Sequence, residues 1–203
     1  MLKRKLESTV TSTASCDDDK SETPKSELYR ENNHIYFYDE IKRTTISQLN
    51  GYIRDAEEYS LITSHKLRID PLPIYLHIYS NGGYIHSAFA AIDAITSCKV
   101  PVYSVIEGAT ASAGTLLSVV CTKRYIRPNA YMLIHQLSSS CWGKMAEITD
   151  EYQNLTEMMK RITTIYAEHS TLGSNKLKKL LQHDLWLDST KAMEYGLVDE
   201  IYT

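Results

Sequence analysis

Apolar residues recur along the chain with two different periods, and the alternation between them predicts an α/β fold. Short runs rich in branched and aromatic residues, bounded by turn residues, predict strands. The strands are expected over residues 34–38, 74–78, 101–106, 124–127, 131–134 and 185–187. Between them, apolar positions spaced three and four residues apart predict helices. The helices are expected over residues 46–56, 85–95, 110–120, 144–169, 175–182 and 192–195. This alternation is typical of βαβ units with largely parallel pairing.

The first 28 residues differ from the rest of the chain. They are rich in Ser, Thr, Lys, Asp and Glu and show no apolar period, so residues 1–28 are expected to be a flexible arm or a removable pro-segment. The remaining residues, 29–203, are long enough for one domain with its own core and short for two. We expect its ordered structure to begin near Asn33.

Composition and charge narrow the class of protein. Hydrophobic residues make up 43% of the chain and charged residues 23%, which is ordinary for a globular protein in water. A formal net charge of −3 gives no reason to expect nucleic acid or an anionic membrane as a partner. No apolar run reaches the roughly 18 residues that span a bilayer. The basic start MLKRK is not followed by the apolar core of a secretory signal.

Cysteine usage indicates the compartment. The four cysteines have no CxxC spacing and no matching histidine pair, which favours free thiols in a reducing environment. We therefore expect a soluble cytoplasmic protein, and the sequence leaves an organellar or viral origin open.

A first glycine-bearing turn, Gly82-Gly83, lies between a predicted strand and a predicted helix. Sites in α/β proteins form at this edge of the sheet, and a backbone without side chains can approach a ligand closely. The alternative is a plain strand-to-helix turn. No GxxxxGK[ST] string exists in the chain, so a phosphate-binding loop is not expected and no cofactor is expected in this subunit.

A second turn, GATASAG over residues 108–114, places Ser112 among small residues at a predicted helix start. Gly108 is expected to end the strand and Thr110 to begin the helix. The Ala113 N–H and the helix dipole are then available to an oxyanion. A helix cap or a tightly packed helix would use the same residues, and Thr110 replaces the first glycine of the GxSxG elbow.

A serine nucleophile needs a base, and His135 is the best placed of the seven histidines because it ends a predicted strand. His77 lies inside a strand and is expected to face packing or a surface groove. The other five are expected to be solvated and without a partner: His34, His65, His86, His169 and His183. Asp184 and Asp188 flank the last predicted strand, and the residues alone do not decide which of them would orient His135. No HExxH string supports a metal site.

From about Asn33 to the C-terminus the chain resembles the proteolytic subunit of the Clp protease, the ClpP family. The similar segments are IYLHIYSNGG at 74–83, GATASAG at 108–114, MLIHQ at 132–136 and AMEYGLVD at 192–199. The resemblance implies a ClpP/crotonase-like fold of repeated ββα units, with the helix over residues 144–169 as a protruding handle.

The same resemblance implies a serine endopeptidase with Ser112 as nucleophile and His135 as base. It places the family's aspartate on Asp184 rather than Asp188, and the oxyanion donors on the N–H groups of Gly83 and Ala113. It implies self-assembly into heptameric rings stacked as a tetradecamer, polypeptide substrates and an AAA+ unfoldase partner that would use the ATP.

Several departures from the family pattern leave substrate preference and ring contacts open, among them a segment between Ser112 and His135 that is about two residues shorter than usual. Asn81 replaces the proline usual before the two glycines, and Leu137 replaces the proline usual after His-Gln. The serines at 138–140 stand where the family has a Gly-rich strand. In the region of the unfoldase pocket, Tyr75 and Tyr125 keep the family's aromatic character, whereas His77 and Ser97 do not.

Three other functions remain as alternatives. A viral capsid-maturation peptidase of the same superfamily would share the triad. A non-catalytic Clp-like structural subunit would use the fold for assembly alone. A crotonase-like acyl-CoA enzyme would keep the oxyanion hole and give the Ser–His pair no role.

Overall fold

The computed structural model describes residues 27–203, so almost all of the expected arm, residues 1–26, lies outside the described residues. Eight strands are described: β1 Leu28–Glu31, β2 His34–Phe37, β3 Ile74–Ser80, β4 Val102–Ala111, β5 Lys123–Ile126, β6 Tyr131–Leu133, β7 Leu187–Asp188 and β8 Glu200–Ile201. Six helices are described: α1 Arg43–Leu67, α2 Ile85–Thr96, α3 Ala113–Val119, α4 Met145–Glu168, α5 Ser174–Leu181 and α6 Ser189–Glu194. The predicted α/β class is confirmed.

The strands form one sheet with the order β1-β2-β3-β4-β5-β8, and β6 leaves this path to pair with β4 and β7. From β2 to β5 the pairing is parallel, as the sequence predicts. Strands β1 and β2 form an antiparallel hairpin through register pairs such as Leu28 with Phe37. The expectation that structure begins near Asn33 is therefore wrong, because Leu28 is buried and belongs to the core.

Strand β4 is longer than predicted and divides the sheet. Its first half pairs with β5, up to Ile106 opposite Ile126, and its second half pairs with β6, from Ala109 opposite Tyr131. Gly108, with φ of 55°, lies between the two halves. The prediction that Gly108 ends the strand and that a helix begins at Thr110 is wrong. Since the bend is absorbed within the strand, β4 continues to Ala111 and delivers Ser112 directly to α3.

One face of the sheet carries the apolar core under the helices. Alternate residues of β2 and β3 are fully buried there, among them Ile35, Phe37 and Leu76. Ile46, Leu49 and other apolar positions of α1 pack into the same cluster, as their spacing predicts.

The opposite face of the sheet is covered by aromatic and polar side chains. The His77 Nδ1 atom lies 3.1 Å from Glu107 Oε1, and His77 Nε2 lies 3.1 Å from His34 Nδ1. His34 therefore has a partner, and the expectation that it is solvated without one is wrong. The parallel register, which sets Tyr36 opposite His77 and His34 opposite Tyr75, brings these rings together and is invisible in the sequence.

Helix α4, the predicted handle, changes environment along its length. Near its C-terminal end Ile162, Ile165 and Tyr166 are buried in the core. The same face continues toward the N-terminal end through Tyr152 and Met145, whose exposed fractions are 71% and 80%. The N-terminal half of the apolar stripe thus has no cover from residues 27–203.

Candidate active site

Ser112 occupies a strained backbone position where β4 meets α3. Its φ of 53° and ψ of −128° make it the N-cap of α3. A non-glycine residue with such angles costs on the order of 1–3 kcal/mol and is typical of functional sites. The Ser112 N–H donates to the Leu133 carbonyl of β6 at 2.8 Å, and this bond holds the turn against the neighbouring strand.

The Gly82-Gly83 turn, which follows β3, lies directly against this position. A Cβ atom on Gly82 would stand 2.8 Å from the Cβ of Ser112 and 3.0 Å from the Ala113 nitrogen. A Cβ atom on Gly83 would collide with the carbonyl oxygen of Ile41. Both glycines have positive φ, so close approach and backbone angle together exclude a side chain.

Two backbone donors are free beside Ser112. The neighbouring donors are occupied: Gly82 N–H bonds to Ser80 Oγ, and Tyr84 N–H bonds to the Ile41 carbonyl. The N–H groups of Gly83 and Ala113 have no acceptor among residues 27–203. Such a pair of N–H groups suits an oxyanion.

His135 and Asp184 come together from two loops. His135 follows β6, and Asp184 follows α5. The Gln136 N–H donates to the Leu181 carbonyl at 2.7 Å and so ties the loops to each other. His135 Nδ1 lies 3.2 Å from Asp184 Oδ1. An Nδ1–H donated to the carboxylate leaves the other ring nitrogen, Nε2, as a proton acceptor.

Asp188, the second carboxylate that the sequence offered, has a different contact. It belongs to β7 and is the N-cap of α6, where its Oδ1 accepts from the Lys191 N–H at 2.8 Å. The predicted strand over residues 185–187 is displaced, because pairing with β6 uses Leu187 and Asp188. The structure therefore brings Asp184, and not Asp188, to His135.

A cavity of about 70 Å³ is lined by all of the candidate residues except Asp184 and Asp188. Its lining includes Gly83, Ser112, Ala113 and His135, with Tyr166 of α4 also in the wall. Within residues 27–203 no hydrogen bond is formed between the Ser112 hydroxyl and the His135 ring. Catalytic hydrogen bonds are often long without substrate, so shared lining is the relevant geometry here.

A larger groove of about 440 Å³ adjoins this cavity on the Gly83 side. Apolar side chains in its wall include Ile85, Leu137 and Met158. Residues 134–144 lie beside it and contain no strand, which agrees with the loss of the family's Gly-rich segment at 138–140.

Four residues that shape the site were not predicted to do so. Ile41 pairs with Gly83 in an isolated parallel bridge, and the buried Ser80 hydroxyl holds the Gly82 N–H. Thr115 and Tyr166 form a buried hydroxyl pair under Ser112. Thr115 carried a weak signal as a polar residue within an apolar stretch, whereas the other contacts depend on the tertiary fold.

No cluster of three or more His, Cys, Asp or Glu side chains within residues 27–203 could hold a metal ion. None of the helices in that range combines the length and apolar composition needed to cross a membrane.

Comparison with known proteins identifies the family of the chain. Residues 23–203 match the family model of the Clp protease. The ATP-dependent Clp protease proteolytic subunit 2 from Treponema denticola is 35% identical over 131 residues, which cover 64% of this chain and 66% of that relative. The proteolytic subunit from Lactococcus lactis subsp. cremoris is 30% identical over 173 residues, 81% of this chain and 86% of that relative.

The solved structures agree with the sequence comparisons. A mutant of ClpP1 from Listeria monocytogenes is similar with a TM-score of 0.73 and 26% sequence identity, over 84% of this chain and 91% of that one. The predicted ClpP-like fold is thereby confirmed. Since the family match spans all of the described residues, the chain belongs to the Clp protease family and is a peptidase subunit of the ClpP type.

Proposed function

We propose that the chain is a serine-type endopeptidase in which Ser112 is the nucleophile, His135 the general base and Asp184 the residue that orients the histidine. The observation that carries the proposal is the strained Ser112 between two backbone N–H groups that have no acceptor within residues 27–203, in one cavity with an imidazole whose Nδ1 lies 3.2 Å from a carboxylate oxygen. Backbone strain of this kind clusters at active sites.

The proposed reaction proceeds through an acyl-enzyme. Ser112 Oγ attacks the peptide carbonyl carbon while His135 Nε2 takes the hydroxyl proton. The oxyanion accepts hydrogen bonds from the N–H groups of Gly83 and Ala113, and His135 returns the proton to the leaving amine. Water then attacks the acyl carbon while His135 takes one of its protons. The ester bond to Ser112 Oγ breaks, His135 returns the proton to Oγ, and the second product leaves.

The test compares the wild-type protein with Ser112→Ala on a short fluorogenic peptide. We expect turnover to fall to background in the variant, because the attacking oxygen is lost, while native mass is unchanged. Retained turnover in the purified variant would remove Ser112 from the mechanism. A fluorophosphonate probe adds a positive readout: an adduct mapped to Ser112 supports a serine peptidase and argues against both a non-catalytic subunit and a crotonase-like acyl-CoA enzyme.

We also propose that the chain assembles into heptameric rings that stack in pairs through α4. The exposed apolar stripe on the N-terminal half of α4 supports this arrangement, because large apolar residues in contiguous exposed positions mark interaction surfaces. A monomeric mass by light scattering would exclude the assembly.

An AAA+ unfoldase is proposed as the partner that delivers unfolded polypeptides and consumes ATP. Tyr75 and Tyr125 lie on the sheet face opposite the core and support an aromatic docking site. His77, which pairs with Glu107, makes this face more polar than an apolar pocket. A degradation assay with the ATPase from the same organism tests the partnership, and the absence of any stimulation would count against it.

A further inference from the structure

A chain of two buried hydroxyl groups runs from α4 to the carbonyl oxygen of Ser112. The Tyr166 hydroxyl of α4 lies 2.6 Å from Thr115 Oγ1. Thr115 Oγ1 in turn lies 2.7 Å from the carbonyl oxygen of Ser112. Thr115 is completely buried, and Tyr166 is 1% exposed. Both hydroxyl groups are therefore shielded from bulk water.

The direction of donation along this chain follows from counting protons. A carbonyl oxygen only accepts, so Thr115 donates its single hydroxyl proton to Ser112. Tyr166 must then donate to Thr115. Burial raises the pKa of Tyr166, so its hydroxyl remains protonated and stays a donor. Within residues 27–203 Thr115 is the only hydrogen-bond partner of the Tyr166 hydroxyl.

The Ser112 carbonyl belongs to the same rigid peptide unit as the Ala113 N–H. In a planar trans peptide the two groups point in opposite directions, so fixing one fixes the other. The carbonyl accepts from Thr115 Oγ1 and also from the Thr115 N–H at 3.0 Å. These bonds prevent the peptide from rotating out of the strained angles of Ser112.

We propose that Thr115 and Tyr166 are positioning residues that lock the Ser112–Ala113 peptide so that its N–H points at the developing oxyanion. The assignment rests on the proposed function, since it gives the Ala113 N–H a role only if Ser112 is the nucleophile. It also couples α4 to the proposed oxyanion site, through a contact between residues 51 positions apart in the sequence.

Three variants separate the hydroxyl chain from packing. Thr115→Val has nearly the same shape and removes the donor to the carbonyl, whereas Thr115→Ser keeps it. Tyr166→Phe keeps the ring and removes the second donor. Removing an oxyanion donor altogether costs about 10²–10³ in kcat. We expect the Thr115→Val variant, in which the donor is present but loosely aimed, to lose about tenfold in kcat.

The expected pattern has further parts. Tyr166→Phe should lose less than Thr115→Val, and Thr115→Ser should stay close to wild type. KM should change little in all three, because the N–H acts on the transition state. The affinity for a peptide boronate, which mimics the tetrahedral state, should fall in step with kcat/KM.

A matched control removes another buried hydroxyl of α3, one that bonds to β4 and not to Ser112. Ser118 Oγ lies 2.8 Å from Ser104 Oγ, and both side chains are fully buried. We expect Ser118→Ala to lower the melting temperature and to leave kcat unchanged. A drop in kcat for Ser118→Ala as large as that for Thr115→Val would show a general packing effect and overturn the proposal.

The failure of this proposal differs from failure of the proposed function. If the fluorophosphonate probe labels Ser112 in the wild type, but Thr115→Val and Tyr166→Phe turn over peptide at the wild-type rate, the positioning role is wrong and the nucleophile stands. If Thr115→Val does not assemble, Tyr166→Phe alone decides by its kcat and boronate affinity. If the wild type is not labelled at Ser112, the proposed function fails and the positioning role fails with it.

Discussion

Ser112, His135 and Asp184 would acquire their proposed roles from the backbone around them. Ser112 is held in a strained conformation by a bond to β6, and His135 Nδ1 lies 3.2 Å from a carboxylate oxygen in the loop after α5. The Asp184 side chain is 77% exposed, so solvent screens its charge. Its value to the proposed mechanism is therefore the orientation and tautomer of the histidine rather than a strong ion pair.

The two neighbouring aspartates give a matched pair of variants for this claim. We expect Asp184→Asn to lower kcat by up to about 10⁴, because an amide can present its N–H to Nδ1 and favour the wrong tautomer. We expect Asp188→Asn to leave kcat unchanged, since Asn caps a helix about as well as Asp. Steady-state kinetics on one fluorogenic peptide measures both. Equal losses in the two variants would contradict the orienting role of Asp184.

Only some of the residues of the candidate site could be predicted from the sequence. Ser112 and His135 stood out because small residues and a strand end mark them. Asp184 could not be separated from Asp188 by residue chemistry, since the difference lies in the cap bond to Lys191 and the bond between Gln136 and Leu181. The Thr115–Tyr166 contact was invisible, because it depends on how α4 packs against α3.

At the scale of elements, β4 and the sheet faces decide where chemistry can occur. The sequence predicted most helices and strands because their apolar periods are clear, and the long α4 is the best case. It failed at Gly108, where a turn residue is used inside a strand to pass β4 from β5 to β6. The sequence also did not predict that His34 and His77 are neighbours on one sheet face, because that contact depends on the parallel register of β2 and β3.

The polar group on that face contains ionisable residues whose pKa values depend on folding. Burial is the main cause that lowers the pKa of His77, and it also lowers the pKa of His34. For Glu107, burial opposes ionisation, but hydrogen bonds from Tyr38, His77 and Arg127 outweigh it and lower its pKa. The folded protein thus holds these histidines neutral beside an ionised carboxylate.

This arrangement predicts a loss of stability in mild acid. A histidine with a lowered folded pKa binds fewer protons than it does in the unfolded chain, so its contribution is full above about pH 6.5 and is lost as pH falls. Glu107 adds a further loss only below its ordinary pKa of 4.5. We expect the melting temperature to fall between pH 7.5 and pH 5.5. The fall should be smaller in His77→Gln, because only one of the two histidines with a lowered pKa, His34, remains on this face.

His65→Gln is the control for this measurement, because His65 is exposed at the end of α1. It should show the wild-type pH dependence. An unchanged dependence in His77→Gln would mean that His77 does not carry the effect.

At the scale of the whole molecule, the N-terminal half of the apolar stripe on α4 is the surface that residues 27–203 leave uncovered. Tyr152 and Asn154 are both exposed, but they lie on opposite sides of the helix because two residues turn it by about 200°. Only Tyr152 belongs to the apolar stripe. A carboxylate introduced at position 152 would therefore lie within the proposed ring contact, whereas a carboxylate at position 154 would lie outside it.

We expect Tyr152→Glu to separate the double ring into single rings, since a buried unpaired carboxylate is costly at an interface. Native mass spectrometry should then give half the wild-type mass. Asn154→Glu should keep the wild-type mass. A double ring that persists in Tyr152→Glu would place the ring contact elsewhere.

The account as a whole depends on convergence: β3 and its glycine turn, β4 with Ser112, β6 with His135 and the loop after α5 must meet at one reacting carbon. The most direct measurement is a structure of the assembled protein with a bound peptidyl boronate. We predict that boron is bonded to Ser112 Oγ, with one boronate oxygen about 2.7–3.1 Å from the nitrogens of Gly83 and Ala113 and His135 Nε2 beside the boronate. A boronate bonded to another residue, or an imidazole turned away from Ser112 in the occupied site, would contradict the account.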